Sequence, residues 1–278
     1  MFNELTSSIH ARLETEFQQD IMVSSIEILK HPKIKTRFSN FATNIRELTR
    51  DIFHTLAPDE EVKNCEWYEE PTSEGDSDIT RLQRMIYAIK GGLSDKFIKD
   101  DLEFNFADEI KTLNQVINKL NKYTHINEKV YYQEEEQGFD MVENTLTALN
   151  CFLLTIDEVR SIITKTLEEN LHYQISECLT DDIINDIDIL ATHYWVDGST
   201  ISSIKVTEIS SSDLSVEVSG SVDVNHQFGS DRDFTNGDGH QFEDSYPFEI
   251  SLTLNVDSPL EVSLSSSDII VDNSQYFE

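Results

Sequence analysis

The spacing of the hydrophobic residues changes once along the chain. From residue 5 to about residue 195, apolar positions recur every three or four residues, which is typical of helices with one buried face. After about residue 200 they alternate with polar residues, which is typical of strands with one buried face. The first pattern predicts helices over 5–30, 36–57, 78–90, 106–124, 139–176 and 181–195, with a loop over 59–77.

The alternating pattern predicts a small antiparallel sheet. Its strands are expected over 204–210, 214–228 and 246–256, with a short further strand in "SDIIVDN". The fold class predicted from both patterns is α+β by segregation, with an N-terminal all-α helical bundle over residues 1–198 and a small antiparallel β domain over residues 199–278. A polar, glycine-rich loop at 229–245 is long for a compact β domain, and such loops are often functional.

Charge separates the two parts further. The chain has 21 basic and 53 acidic residues, a formal net charge of −32. Residues 1–130 hold 17 of the basic residues beside 23 acidic ones, whereas residues 131–278 hold only 4 basic residues beside 30 acidic ones. Because so negative a surface repels phosphate, the β part is expected to bind nucleic acid poorly without added cations. It favours docking a basic protein or mimicking nucleic acid, although an ordinary acidic surface explains the charge equally well.

The cysteines and the termini predict a reduced, cytoplasmic protein. The three cysteines are far apart and form no CxxC pair. The stretch "MFNELTSSIHARLETEF" lacks the layout of a secretory signal, and no apolar run approaches the roughly 18 residues of a membrane span. Cys151, in "ALNCFLLTI", has the most apolar neighbours and is expected in the core.

Several stretches resemble one bacterial protein family. In the helical part these are "HPKIKTRFSNFATNIRELTRDIFHTLAPDEEVKNCEWY", "RLQRMIYAIKGGLSD" and "LNKYTHIN". In the β part, "HQFGSDRD" and "DSYPFEISL" are similar to the family's "YGS…D" and "SFPF" stretches, in the same order. The family is that of the predicted pPIWI-associating nucleases, and the resemblance covers roughly residues 30–256. It implies a nuclease in anti-phage defence that works beside an Argonaute-like module, so another defence-system protein is the expected partner; a homo-oligomer is also possible.

One histidine is a candidate for acid–base catalysis. A helical bundle followed by a polar cluster with a histidine also resembles the HEPN ribonucleases, whose motif is an Arg, then four to six further residues, then the His. This resemblance implies catalytic roles for His125, Lys119 and Asn121. The Arg is absent here, because residues 118–120 are Asn, Lys and Leu. A lysine cannot replace it, since only the guanidinium of an arginine binds phosphate in a bidentate manner. The other interpretation of His125 is a helix-capping or packed histidine.

The arginines of the helical part are the candidates for phosphate contact. Arg46 and Arg50 share one helix face at i and i+4, and Arg81 and Arg84 share another at i and i+3. Lys122 completes the predicted set for contacts to RNA or DNA. The alternative is pairing within the chain, because Glu47, Asp51, Asp78 and Asp95 lie nearby in sequence.

A second Arg…His pair occurs in "RELTRDIFH", where Arg50 precedes His54 by four residues. Because Phe53 and Leu56 flank this histidine, it is expected at the edge of the core.

Metal-dependent chemistry has weaker support in the sequence. The expected strands carry Glu217, Asp223 and Glu249. A restriction-type nuclease site would also need a Glu-x-Lys sequence on a strand, and "SIKVTEIS" contains none. The oxygen-rich loop at 229–245 offers Asp231, Asp233 and Glu243 as candidate ligands for a divalent cation, Mg²⁺ or Ca²⁺. An acidic recognition loop is the other interpretation of the same residues.

Two hypotheses for function follow. In the first, the chain is a nuclease of a bacterial defence system that acts with an Argonaute-like or other effector partner. In the second, it is a non-catalytic sensor or adaptor, whose acidic β domain docks a partner protein or a phage component.

Overall fold

The computed structural model describes residues 2–71, 78–181 and 183–277, and it confirms the α+β fold class: helices come first and an antiparallel sheet follows. The chain forms two compact units, Met1–Val159 and Arg160–Glu278, which we call the helical unit and the β unit. The sequence put the division between residues 198 and 199. The two compact units divide after Val159, within the long helix Glu135–Asp181.

The helical unit is built from short and medium helices that precede this long one. In chain order they are α1 Asn3–His10, α2 Glu16–Leu29, α3 Arg37–Leu56, α4 Asp59–Asn64, α5 Arg81–Lys90, a π-helical turn Phe97–Asp101, α6 Ala107–Thr124, α7 Glu128–Tyr131 and α8 Glu135–Asp181. The predicted helices over 36–57 and 106–124 are confirmed almost to the residue. Both have an uninterrupted buried stripe, which in α3 consists of Phe38, Phe41, Ile45, Leu48 and Ile52.

Two predictions for this unit are corrected. The single helix expected over 5–30 is divided into α1 and α2, because Thr15 starts a new helix: its Oγ1 accepts a hydrogen bond of 3.1 Å from the Gln18 N–H. The loop expected over 59–77 contains α4, and residues 72–77 of that loop lie outside the described residues.

Cys151 is exposed on α8, contrary to the expectation that it lies in the core. Its neighbours Leu149, Phe152 and Leu153 form the buried stripe of the helix, and Cys151 falls on the opposite face. All three cysteines are free thiols.

The β unit consists of the end of α8 followed by a four-stranded meander. Its elements are α9 Asn185–Asp188, β1 His193–Ile209, β2 Asp213–Phe228, α10 Asp231–Asn236, β3 His240–Asn255 and β4 Ile269–Val271, with 3₁₀ turns at Ser266–Asp268 and Ser274–Phe277. The strands are antiparallel and adjacent in chain order, β1-β2-β3-β4. All four predicted strands are present.

The limits of β1 and β3 differ from the predicted ones. The helix expected over 181–195 is reduced to α9, and β1 begins at His193. The loop expected over 229–245 contains α10 and ends where β3 begins at His240. The added strand segments are only partly buried, so their sequence lacks a strong alternation of apolar and polar residues.

One glycine allows the two central strands to pack. A Cβ on Gly220 of β2 would lie 2.3 Å from the carbonyl oxygen of Thr200 and 2.5 Å from the ring of Phe248. Phe248 is buried on β3, so its ring occupies the space that any larger residue at position 220 would need.

Strand β1 is an edge of the sheet and is irregular. Its pairing with β2 shifts register at Val196/Gly198, Ile201/Ser203 and Val206/Glu208. Such shifts mark β-bulges or similar irregularities of pairing, and a bulge bends and twists a strand locally.

Within the part of the chain that the structure describes, no helix combines the length and the apolar character needed to cross a membrane.

Candidate nucleic-acid site

A cavity of about 390 Å³ lies in the helical unit, between α3, α5 and α6. We call it the arginine cavity. Its lining comprises Arg46, Glu47, Arg50, Phe53, His54, Ile79, Arg81, Arg84 and Ile117. Four of the five residues predicted to contact phosphate therefore meet in one place, although two lie on α3 and two on α5.

Local sequence positions these arginines. Arg46 and Arg50 are spaced i and i+4 on α3, outside the buried apolar stripe of that helix, and both line the cavity. Helix α5 begins at a capping box, in which the Thr80 side chain accepts from the Gln83 N–H and the Gln83 side chain accepts from the Thr80 N–H. This cap fixes the first turn of α5, which carries Arg81.

Two of the arginines keep their positive charge available. One Nη of Arg81 donates to Asn114 Oδ1 at 3.2 Å and to Asn118 Oδ1 at 3.1 Å, and one Nη of Arg46 lies 3.4 Å from Thr124 Oγ1. All of these partners are neutral. Among the described residues, neither guanidinium has a carboxylate oxygen within 4.0 Å. Burial and the nearby charge of Arg46 lower the pKa of Arg81, as expected for uncompensated cations held close together.

The other two arginines are paired with acids, as the alternative interpretation predicted. Arg84 is buried, and its guanidinium bonds Asp59 Oδ1 at 2.6 Å and the carbonyl oxygen of Ala57 at 2.6 Å. Arg84 thereby holds α5 against the end of α3. Arg50 is exposed at the rim and lies 3.5 Å from Glu47.

His54 is the titratable base of the cavity. It lies one turn after Arg50 and is exposed, whereas the adjacent Phe53 is buried. Partial burial of the ring, and then the charge of Arg84, lower the pKa of His54 below its ordinary value of 6.5. The imidazole is therefore neutral at pH 7 and can accept a proton.

The other predicted catalytic residues lie at the end of α6. His125 is the exposed residue that follows the helix, and Lys119, Asn121 and Lys122 are exposed on it. None of these four side chains lines the arginine cavity. The hydrogen bond from Arg46 to Thr124 brings the cavity close to this helix end, but the catalytic roles of His125, Lys119 and Asn121 remain predictions.

The metal-ligand predictions remain open as well. Glu243 is exposed on β3, and Asp233 accepts hydrogen bonds from the Ser230 N–H and hydroxyl at 2.9 and 2.8 Å, which lowers the pKa of Asp233. The side chain of Asp231 lies outside the described residues. Within the described residues, no three His, Cys, Asp or Glu side chains form a group that could hold a metal ion.

The carboxylates of the strands come together in part. Glu217 and Glu249 line a surface cavity of about 310 Å³ with Lys205, whereas Asp223 is not among the residues that line it.

Sequence reasoning missed the residues that support the arginines. Asn114 and Asn118, which hold Arg81, are spaced i and i+4 on the polar face of α6. That spacing is visible in the sequence, but nothing local indicates which cation the two amides face.

Two family models match this chain, at residues 10–149 and at residues 156–277, and both are described as "Predicted pPIWI-associating nuclease". No curated protein matches. No solved structure matches either.

Proposed function

This chain belongs to the family of predicted pPIWI-associating nucleases, and we propose that it cleaves RNA in the arginine cavity of its helical unit. One observation carries the proposal: among the described residues, Arg46 and Arg81 have only neutral hydrogen-bond partners, and they share a cavity with a neutral histidine. Cations without acidic partners are available to a phosphodiester.

The lining of the cavity suits a nucleotide. Its lining includes four arginines, while Phe53, Ile79 and Ile117 supply apolar surface. A guanidinium group can bind two oxygens of one phosphate at once, and the face of a base can pack against an apolar wall. Inorganic phosphate would use only the first of these features.

His54 supplies the proton transfer in this proposal. Its neutral imidazole takes the proton of a ribose 2′-hydroxyl, and the 2′-oxygen then attacks the adjacent phosphorus. The bond from phosphorus to the 5′-oxygen breaks, and the leaving oxygen takes a proton from water. The products are a 2′,3′-cyclic phosphate and a 5′-hydroxyl, and Arg46 and Arg81 stabilise the negative charge that develops on the non-bridging phosphate oxygens. DNA has no 2′-hydroxyl, so this route is specific for RNA.

The biological setting is part of the same proposal. The family description names pPIWI, so we propose that the chain acts in the cytoplasm beside an Argonaute-like effector, in defence against phage. Co-expression with such an effector, followed by size-exclusion chromatography, tests this; separate elution of the two proteins would contradict a stable complex.

The decisive experiment compares labelled RNA and DNA of the same sequence, in EDTA and in Mg²⁺. Wild-type protein is expected to cleave RNA under both conditions and to leave DNA intact. The double variant Arg46→Ala/Arg81→Ala is expected to lose both binding and cleavage, with folding checked by circular dichroism.

Two control variants make the result specific. Arg232→Ala removes an exposed arginine from the β unit and is expected to behave as wild type. Glu217→Gln/Glu249→Gln alters the carboxylates of the sheet cavity. Cleavage that needs Mg²⁺, survives the double arginine change and disappears in the glutamate variant would overturn the proposal.

A further inference from the structure

A second cavity, of about 370 Å³, lies in the β unit where β1 begins. We call it the Trp195 groove. Side chains from the end of α8, from α9 and its flanking residues, and from the start of β1 line it, among them Leu179, Ile183, Asp188, His193, Tyr194 and Trp195.

The groove exposes large apolar side chains. Trp195 is 41% exposed and Ile183 is 66% exposed. Tryptophan is enriched at protein interfaces and at their energetic centres. Burying the exposed surface of these two side chains would favour binding of an apolar anchor.

The groove is held in shape by the chain itself. The hydroxyl of Tyr194 accepts a hydrogen bond of 2.7 Å from the Ile184 N–H, which joins the segment after α8 to the first residues of β1. This bond fixes the backbone on both sides of the groove, so a ligand does not have to organise it.

Charge indicates the kind of ligand. The residues of the β unit, 160–278, include 4 basic and 23 acidic residues, and Asp188 lies in the groove. A field this negative repels nucleic acid, and it also repels a second copy of the same unit. It attracts a cationic segment and speeds the encounter with it.

We propose that the Trp195 groove docks a basic segment of a partner protein. The segment places an apolar side chain against Trp195 and Ile183, while its lysines or arginines face the surrounding carboxylates. This docking is independent of the nuclease proposal, because the groove and the arginine cavity share no residue.

Tryptophan fluorescence tests the proposal directly. The chain has two tryptophans, so the variant Trp67→Phe leaves Trp195 as the only one. The probe is a short synthetic peptide of alternating lysine and leucine. Two matched peptides serve as controls: one has glutamate in place of lysine, and the other has serine in place of leucine. Only the lysine–leucine peptide is expected to shift the Trp195 emission to shorter wavelength, with binding that weakens as salt is raised.

Variants locate the site. With a fluorescein-labelled lysine–leucine peptide, Trp195→Ser and Ile183→Ser are each expected to weaken binding by about tenfold, the scale of an anchor residue. Ile270→Ser removes a side chain that is 68% exposed on β4, and it is expected to leave binding unchanged. Thermal melts of all three variants check that the β unit remains folded.

Several results would overturn the docking site. They are no binding of the lysine–leucine peptide, equal binding of the glutamate–leucine peptide, or equal losses in Trp195→Ser and Ile270→Ser. Self-association of the wild type that Trp195→Ser abolishes would assign the groove to a second copy instead. None of these results bears on RNA cleavage.

Discussion

The helical unit and the β unit both carry a net negative charge, yet the cavity of the first is lined by arginines and the groove of the second contains a carboxylate. Residues 1–159 include 17 basic and 30 acidic residues, and residues 160–278 include 4 and 23. In the helical unit, four arginines from α3 and α5 line one cavity, and within the part of the chain that the structure describes two of them bond only neutral groups. In the β unit, the Trp195 groove contains a carboxylate and a tryptophan. In both proposals, the placement of a few charges, more than the net charge, decides which ligand class the unit would bind.

The arginines themselves illustrate this. Arg37 and Arg84 are buried, and each bonds a carboxylate, Glu135 at 2.7 Å and Asp59 at 2.6 Å. They stabilise the packing of the helices, whereas Arg46 and Arg81 leave their charge to the cavity. Composition alone does not separate these two roles.

Removing the histidine of the arginine cavity is expected to have the largest effect. His54→Ala should lower the rate of RNA cleavage by about 10²- to 10⁴-fold, the usual contribution of a general base, while RNA affinity changes little. In the wild type, the rate should fall on the acidic side of pH 6.5 as His54 becomes protonated, because its pKa lies below that value. Single-turnover rates measured across pH check both statements.

Two other histidines serve as comparisons. His172→Ala, an exposed position on α8, should behave as wild type. If His125→Ala abolishes cleavage and His54→Ala does not, the catalytic histidine is the one at the end of α6.

A change confined to the sheet should damage stability without altering RNA binding. Gly220→Ala places a Cβ against the Thr200 carbonyl and the Phe248 ring, so the free energy of unfolding should fall by about 1–3 kcal/mol. Gly198→Ala is the matched control, because a Cβ there meets no atom within 4 Å. Urea denaturation gives the stability, and RNA titration under native conditions gives the affinity. A loss of RNA affinity in Gly220→Ala that Gly198→Ala does not show would place RNA contacts in the β unit.

Salt dependence measures how many arginines neutralise phosphate. Arg46→Ala and Arg81→Ala should each reduce the slope of log K against log salt by about 1, with a several-fold loss of affinity. Arg50→Ala should have a smaller effect, because its exposed guanidinium already lies near Glu47. Fluorescence anisotropy with labelled RNA at several salt concentrations provides the slopes. Equal slopes for Arg81→Ala and Arg232→Ala would remove Arg81 from the binding site.

The smallest expected effect concerns acid stability of the β unit. His226 is fully buried on β2, its Nε2 lies 2.9 Å from the Tyr246 hydroxyl, and burial lowers the pKa of its imidazole. The unfolded chain therefore takes up a proton below about pH 6.5 that the folded chain takes up only at lower pH. Stability of the fold decreases as pH falls through this range. The charge of Asp244 opposes the shift only in part.

His226→Gln should reduce the pH dependence of the free energy of unfolding between pH 7 and pH 5, as urea titrations would show. His172→Gln is the exposed control. An unchanged slope in His226→Gln would mean that His226 keeps an ordinary pKa in the folded protein.

Much of the fold was predictable because its signals are local. The stripes of α3 and α6, the turn between β1 and β2 and the strand at 269–271 follow from the spacing of apolar residues over short distances. The start of β1 was not predictable, since Tyr194 and Val196 are only half-buried there and the preceding helical spacing continues past the end of α8. The Trp195 groove depends on that strand start, so it could not be found from the sequence.

The residues of the candidate site were predictable from the sequence, but the way the helices bring them together was not. Helical spacing selects Arg46 with Arg50 and Arg81 with Arg84, but only the packing of α3 against α5 and α6 brings the two pairs together. The motif resemblance points to His125, whereas the cavity contains His54. Similarity in the order of motifs along the chain does not give the distance between side chains on different helices. That distance decides which histidine can reach a bound phosphate.

The register shifts of β1 have a consequence near the isoelectric point, about pH 4.4, where the net charge approaches zero and copies no longer repel one another. A regular edge strand offers a row of N–H and C=O groups on which the strand of another molecule can grow into a fibre. Each bulge in β1 interrupts that row, at Val196/Gly198, Ile201/Ser203 and Val206/Glu208. The uneven edge therefore protects against aggregation under the one condition in which charge no longer does.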